Sequence, residues 1–179
     1  MKKVLFSLML LVSFGVASLA RAADATLDVG SVKDRTTNTV GSIVRIAAHE
    51  GPVAVGLESQ AIGRTGASIR NQADAYYGFD MFGVSVAAGF GGVTQTGVNT
   101  HAVYLGKVGY KYDFTKELSG QVGLAYRNDF DDLIRDRQAL AKVGVGYAFD
   151  ANTAITGSYS RSYGDSKLNT YSLSVARKF

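Results

Sequence analysis

The chain has 179 residues, of which 19 are basic and 15 acidic, and it contains no cysteine. The absence of cysteine excludes disulfides and thiolate metal sites. Three basic residues lie within positions 1–22, so the remainder carries 16 basic against 15 acidic side chains. That balance leaves no basic surface of the kind that binds nucleic acid.

Residues 1–22 have the three parts of a secretory signal peptide. Two lysines supply the positive start, an apolar stretch covers residues 4–19, and small residues at 20 and 22 form a cleavage site. A membrane anchor is the alternative, but the apolar run is short and no stop-transfer charges follow it. The sequence therefore predicts a cleaved signal peptide over 1–22 and one mature domain over 23–179.

Clusters of turn-forming residues interrupt the mature chain at nearly even intervals. Nine such clusters separate ten segments, each close to the roughly 9–11 residues that a tilted strand needs to cross a membrane. No apolar run after residue 22 approaches the roughly 18 residues of a spanning helix, so any membrane crossing must use strands. The clusters lie at 35–38, 50–52, 63–70, 80–82, 92–99, 113–117, 128–137, 150–153 and 162–169.

The segment 139–149 shows how these strands are built. Its odd positions are apolar and end in Tyr147 and Phe149, whereas its even positions are mostly glycine and alanine. A period of two defines a β-strand. Small residues on one face suit a narrow closed interior, and bulky apolar residues on the other suit lipid. The predicted fold is all-β, a transmembrane up-and-down antiparallel β-barrel of ten strands. Segments 25–34 and 153–162 are the weakest, and losing both leaves eight strands as the alternative.

The clusters alternate in kind along the chain. Those at 50–52, 80–82, 113–117 and 150–153 are tight, and most of the others are longer and more polar. Short periplasmic turns and longer outer loops are typical of outer-membrane barrels, so both termini are predicted to be periplasmic. The loops around 66, 95, 133 and 166, with the short one at 35–38, then face outward.

Aromatic residues flank the tight turns and predict a girdle at one membrane face. A looser set predicts a second girdle, and the alternative is an aromatic core in a soluble secreted β-barrel that binds a ligand. The first set is Tyr77, Phe79, Phe82, Tyr110, Tyr112, Phe114, Tyr147 and Phe149, and the second is Phe90, Tyr104, Tyr126, Phe130, Tyr159 and Tyr171.

The last nine residues resemble the final strand of bacterial outer-membrane β-barrel proteins, which ends in an aromatic residue preceded by apolar residues at alternate positions. Tyr171, Leu173, Val175 and Phe179 match this pattern, whereas Arg177 stands where an apolar residue is usual. The resemblance extends to small barrels of the OmpA, OmpX and opacity-protein types, and no motif selects one of them. It implies a monomer that is inserted by the barrel-assembly machinery and contacts outer-membrane lipid and lipopolysaccharide.

Six charged side chains near the middle of their strands share the inward parity. Counting from the turns places Asp28 opposite Arg45 and Arg45 opposite Glu58. Charges confined in a barrel interior must be paired, because a broken buried pair is costly. A structural salt-bridge network and a constriction that selects small solutes both remain open. The six residues are Asp28, Arg45, Glu58, Asp74, Lys107 and Lys142.

These features predict a non-enzymatic outer-membrane protein without a cofactor, either a structural surface protein or a narrow passive pore with a charged lumen. The alternative is an outer-membrane enzyme acting on lipid or peptide at the extracellular rim. Omptin proteases carry an Asp–His pair there, but the sequence places no aspartate beside His101. Residues 101–103 also lack the His-x-Ser element of lipid A deacylases.

The segment 128–137 is the most charged outer loop and includes Asp129, Asp131 and Asp132. It is predicted to be a solvated loop with local ion pairs, and contact with lipopolysaccharide phosphates is its alternative role. With only two histidines in the chain, no metal site is expected.

Overall fold

A computed structural model describes residues 24–63, 68–130 and 137–178, and these form ten strands. Each strand pairs antiparallel with its sequence neighbours, and β1 pairs with β10 to close the barrel. The strands are β1 Asp24–Asp34, β2 Val40–Glu50, β3 Val53–Ile62, β4 Ser68–Met81, β5 Val84–Gln95, β6 Val98–Asp113, β7 Leu118–Asp129, β8 Gln138–Ala148, β9 Thr153–Gly164 and β10 Leu168–Lys178. The predicted ten-stranded barrel is confirmed, and the eight-stranded alternative is wrong.

The predicted signal peptide at 1–22 and the terminal Phe179 lie outside the described residues, as does most of the charged loop at 131–136. Within the part of the chain that the structure describes, no helix is long and apolar enough to span a membrane.

Two of the four turns at one end of the barrel contain residues with left-handed backbone conformations, among them Gly51 with a φ of 55°. At 82–83 both Phe82 and Gly83 have positive φ, 54° and 79°, as a two-residue hairpin turn of type I′ requires. We call the end with the connections 51–52, 82–83, 114–117 and 149–152 the turn end, and the opposite end the loop end. The termini of the described chain, Asp24 and Lys178, pair with each other at the turn end.

One predicted loop at the loop end is wrong. The cluster at 92–99 predicts a longer loop, but β5 and β6 leave only residues 96–97 between them, with Gly97 at a φ of 78°. The polar residues there belong to the strands, and the hydroxyls of Thr94 and Thr100 lie 3.1 Å apart. The polar composition of these strand ends therefore led to the wrong prediction of a loop.

The two parities of each strand separate an outer from an inner face. Large apolar side chains are exposed on the outer face even near mid-barrel, as at Leu124 (61% exposed) and Val145 (58%). All eight aromatic residues predicted to flank the turns are exposed, and Tyr112 packs on Phe114 with ring centroids 5.3 Å apart. Most residues on the inner face are small or polar, and the large apolar ones lie toward the loop end.

The interior is packed in one half and open in the other. Toward the loop end, Val32, Val93 and Val103 are fully buried, and Leu105 completes a core cluster with the latter two. Toward the turn end the inward residues are mostly glycine, alanine and serine, which leave room for a cavity. The barrel is therefore filled at the loop end and hollow at the turn end.

Candidate functional site

Arg45 lies at the centre of the charged interior. The backbone register sets Asp28 and Glu58 on either side of it, as the turn positions predicted. The guanidinium of Arg45, however, makes its shorter contact with Asp74, which lies on β4, two strands away from β2. Arg45 Nη2 lies 2.9 Å from Asp74 Oδ1, and Arg45 Nη1 lies 3.4 Å from Glu58 Oε2. The main partner of Arg45 is therefore Asp74.

Asp28 is not part of this ion pair, although it faces Arg45 across the β1–β2 ladder. Its Oδ1 atom is buried and has no hydrogen-bond partner among the described residues. The predicted position of Arg45 between Asp28 and Glu58 on adjacent strands is confirmed, but its side chain pairs with Glu58 and Asp74 and not with Asp28. Register determines only which Cα atoms stand opposite each other. A long side chain such as that of Arg45 can extend past its cross-strand neighbour and contact a residue on the following strand.

Gly56 makes the contact between Arg45 and Asp74 geometrically accessible. It stands directly opposite Asp74 on β3, at an inward position between the two charges. A Cβ atom at Gly56 would lie 2.7 Å from Arg45 Nη2 and 2.7 Å from Asp74 Oδ1. The ion pair thus occupies the space that any other residue on β3 would fill. An inward glycine between strands that carry opposite charges is the sequence signal for this diagonal contact.

The polar contacts continue from Asp74 across the barrel. Gln72 donates from Nε2 to Asp74 Oδ2 at 2.9 Å, and its Oε1 accepts from Arg127 Nη1 at 3.1 Å. Arg70 Nη2 donates to the same Gln72 oxygen at 3.1 Å. Because β4 and β7 are separated by two strands, the Arg127 contact crosses the interior rather than following the wall. We call Arg45, Glu58, Gln72, Asp74 and Arg127 the lumen network.

Gln72 and Arg127 are site residues that the sequence did not predict. Both have the inward parity of their strands, but they lie toward the loop end rather than at mid-strand. Parity applied to every long polar residue, and not only to charges near the strand centre, would have found them.

The two predicted interior lysines take no part in the lumen network. Lys107 Nζ lies 3.9 Å from the centroid of the Tyr76 ring, a cation–π contact. Among the described residues, no carboxylate lies within 4 Å of the ammonium of Lys107 or Lys142. Of the six predicted charges, the structure thus brings only Arg45, Glu58 and Asp74 into ion pairs with one another.

His101 and Asp129 form a buried pair at the loop end. His101 Nε2 lies 3.0 Å from Asp129 Oδ1, and their side chains are 4% and 1% exposed. The sequence placed Asp129 in an outer loop with no aspartate beside His101, and this is wrong. Asp129 is the last residue of β7 and points inward, because the strand continues into the polar segment. Side chains this buried offer no surface to a substrate.

A cavity of about 520 Å³ opens at the turn end. Lys107 and Tyr76 lie at its inner boundary, and His49, which pairs with Asp24 Oδ2 at 3.4 Å, lies at its rim. No cluster of potential metal ligands occurs within the described ranges. The inward residues that line the cavity are Thr26, Ala47, His49, Ala54, Tyr76, Gly78, Asp80, Ser85, Ala87 and Lys107.

No protein-family model and no curated protein matches the chain. Among solved structures, the KdgM porin is 12% identical with a TM-score of 0.47, covering 86% of this chain and 99% of that one. The NanC porin is 14% identical with a TM-score of 0.46, covering 86% and 100%. The translocator domain of the autotransporter NalP from Neisseria meningitidis is 10% identical with a TM-score of 0.49, covering 88% of each chain.

Proposed function

We propose that the protein is a non-enzymatic, integral outer-membrane β-barrel that is plugged from within, a structural surface protein rather than an open pore. The observation that carries this is the packed layer in the loop-end half. Val32 on β1 and Val103 on β6 are fully buried although β1 and β6 stand on opposite walls of the ring. Solvent therefore does not pass along either wall at this level.

The apolar outer face supports the membrane location. Exposed aliphatic side chains surround the middle of the barrel, and exposed aromatic side chains lie toward both ends. A barrel in water would expose contiguous apolar surface far larger than soluble monomers carry, whereas this layering matches lipid-facing barrels. The same argument disfavours a soluble secreted binding protein. The proposal includes a monomer with loop end outward and termini periplasmic, inserted by the barrel-assembly machinery.

The lumen network gives the plug its cross-links. It runs from Glu58 on β3 through Arg45, Asp74 and Gln72 to Arg127 on β7, so it joins distant strands across the interior. Each of its five side chains has an ion-pair or hydrogen-bond partner within the network, which lowers the cost of burying them. A constriction that selects small solutes uses the same residues and is the alternative outcome of the test.

The first test is conductance of the purified barrel in planar bilayers, where we expect no single-channel current. The second uses the absence of native cysteine. Lys107→Cys places a single thiol on the turn-end cavity, and Thr37→Cys places one at the exposed loop end. A membrane-impermeant thiol reagent should modify Lys107→Cys only from the turn side and Thr37→Cys only from the loop side. Channel currents, together with modification of Lys107→Cys from both sides, would establish a pore and overturn the plug.

A further inference from the structure

Basic side chains gather on one sector of the outer face at the loop end. Lys33 on β1 stands opposite Asn169 on β10, which in turn stands opposite Arg161 on β9. All three share the outward parity, so they form one row across three neighbouring strands. Arg35 and Lys167 lie just beyond this row, where the Arg35 amide donates to the Lys167 carbonyl at 2.8 Å. We call Lys33, Arg35, Arg161 and Lys167 the basic rim.

Tyr163 contacts two of these cations. The guanidinium carbons of Arg35 and Arg161 lie 5.4 and 5.3 Å from the centroid of its ring, which is half exposed. Arg35 is anchored further by donating from Nη2 to the carbonyl of Ser162. Two guanidiniums at a single ring concentrate positive charge in this sector, which attracts an anion.

The acidic residues nearby do not neutralise the basic rim. Among the described residues, no carboxylate lies within 4 Å of any of its four cationic groups. The neighbouring carboxylates accept hydrogen bonds from backbone amides. Asp34 Oδ1 accepts from the amide of Thr36 at 2.7 Å, and Asp165 Oδ2 accepts from the amide of Arg137 at 2.8 Å. Counting the described residues alone, the sector therefore keeps an excess of positive charge.

The surface below the basic rim is layered. Tyr159 and Tyr171 pack with ring centroids 5.0 Å apart, and the Tyr159 hydroxyl donates to Asn169 Oδ1 at 3.2 Å. Exposed Leu173 and Val175 follow on β10 toward the turn end. An aliphatic surface, a tyrosine pair and then a row of cations match, in the same order, the chains, the linkage region and the phosphate of a lipid.

We infer that this sector binds the phosphate group of a phosphorylated lipid in the leaflet at the loop end, with the acyl chains against β9, β10 and β1. The inference rests on the proposed function, which sets the outer face in lipid. Arginine suits the role because its planar guanidinium bonds two phosphate oxygens at once. Within the described residues, β6 and β7 carry no such row, since they present Tyr104, Tyr126 and Asn128 outward near the same end.

The test measures binding of lipid A bearing two phosphates, and of its dephosphorylated form, to the folded barrel by native mass spectrometry. Lys33→Gln/Arg161→Gln removes two cations whose side chains make no hydrogen bond within the described part of the chain, and Lys116→Gln/Arg177→Gln removes two from the turn end. Neutralising two cations at an anionic surface should weaken phosphorylated lipid binding by about thirtyfold. The turn-end variant should bind like the parent, and dephosphorylated lipid should bind the parent as weakly as phosphorylated lipid binds the rim variant.

Other outcomes overturn the site. Equal weakening in both double variants would mean general attraction to positive charge, and full displacement of the lipid by millimolar inorganic phosphate would mean a free-phosphate site. If the rim double variant fails to fold, judged by heat-modifiable gel migration, Arg161→Gln alone should still weaken binding about fivefold. Failure of the parent to insert into bilayers would refute the proposed function, whereas an inserted barrel with two equivalent variants would refute the lipid site alone.

Discussion

Replacing Arg45 by alanine should destabilise the barrel strongly, because it removes the cation from a carboxylate that has no exposed surface. The Asp74 side chain is fully buried and would keep only the Gln72 amide, 2.9 Å from its Oδ2. Removing one partner of a buried ion pair costs about 3–5 kcal/mol. Since the Arg45 side chain is 23% exposed and solvent already screens it in part, we expect a loss of about 3 kcal/mol in the free energy of unfolding.

A double-mutant cycle separates this contact from other effects of the substitution. Arg45→Ala/Asp74→Asn removes both charges, so it should be less destabilised than the sum of the single variants by about 2 kcal/mol. The exposed pair of Lys111 and Asp113 is the control, with its ions 3.0 Å apart and side chains 62% and 63% exposed. The same cycle there should give a coupling below about 1 kcal/mol.

The assay is urea unfolding of the barrel in lipid vesicles, followed by heat-modifiable gel migration. Planar-bilayer currents are recorded for the same proteins, because loss of the cross-link should let Arg45→Ala conduct where the parent does not. Additive effects of Arg45→Ala and Asp74→Asn, or a coupling no larger than that of the exposed control, would refute the lumen network. An unchanged stability and an unchanged current would refute the inward assignment of Arg45 as well.

The remaining predictions concern backbone clearance, the second buried pair and assembly. Gly56→Ala should lower the free energy of unfolding by about 1–3 kcal/mol by displacing the guanidinium, whereas Gly157→Ala, whose Cβ would meet nothing within 4 Å, should leave the urea midpoint unchanged. Asp129→Asn should cost about 1–3 kcal/mol by weakening its contact with His101, and a wild-type urea midpoint would contradict this. Deleting Phe179 should reduce the amount of protein in the outer membrane, because the resemblance makes it the end of the assembly signal, and unchanged levels would contradict that resemblance.

The strand count and the β1–β2–β3 register could be predicted from sequence because both depend on local features. A period of two assigns each residue to a face, and a short turn fixes which residues stand opposite each other. This placed Asp28 beside Arg45 and Arg45 beside Glu58, as observed. The choice of Asp74 as the main partner depends on side-chain length and on the space above Gly56, which register alone does not contain.

The ends of the strands were harder to predict for a related reason. Beyond the apolar middle of a membrane strand, both faces become polar, so the period of two disappears while the backbone remains paired. Thr94 lies in the predicted loop 92–99 but belongs to β5. The same effect hid Asp129, and with it the pair that it forms with His101.

Lys107 and Lys142 have no ion-pair partner among the described residues. Their charge nevertheless favours the observed strand register over a register shifted by one residue. Shifting a strand by one residue moves its inward side chains to the lipid face and its outward side chains to the interior. If the inward side chains were apolar, this exchange would change the stability of the barrel little. With an inward cation, the exchange moves that charge into lipid at a cost of about 2–4 kcal/mol near the membrane centre. Arg45, Lys107 and Lys142 place one such cation on β2, β6 and β8. An interior lysine can therefore specify the register by destabilising the shifted barrel, even where it adds nothing to the stability of the correct one.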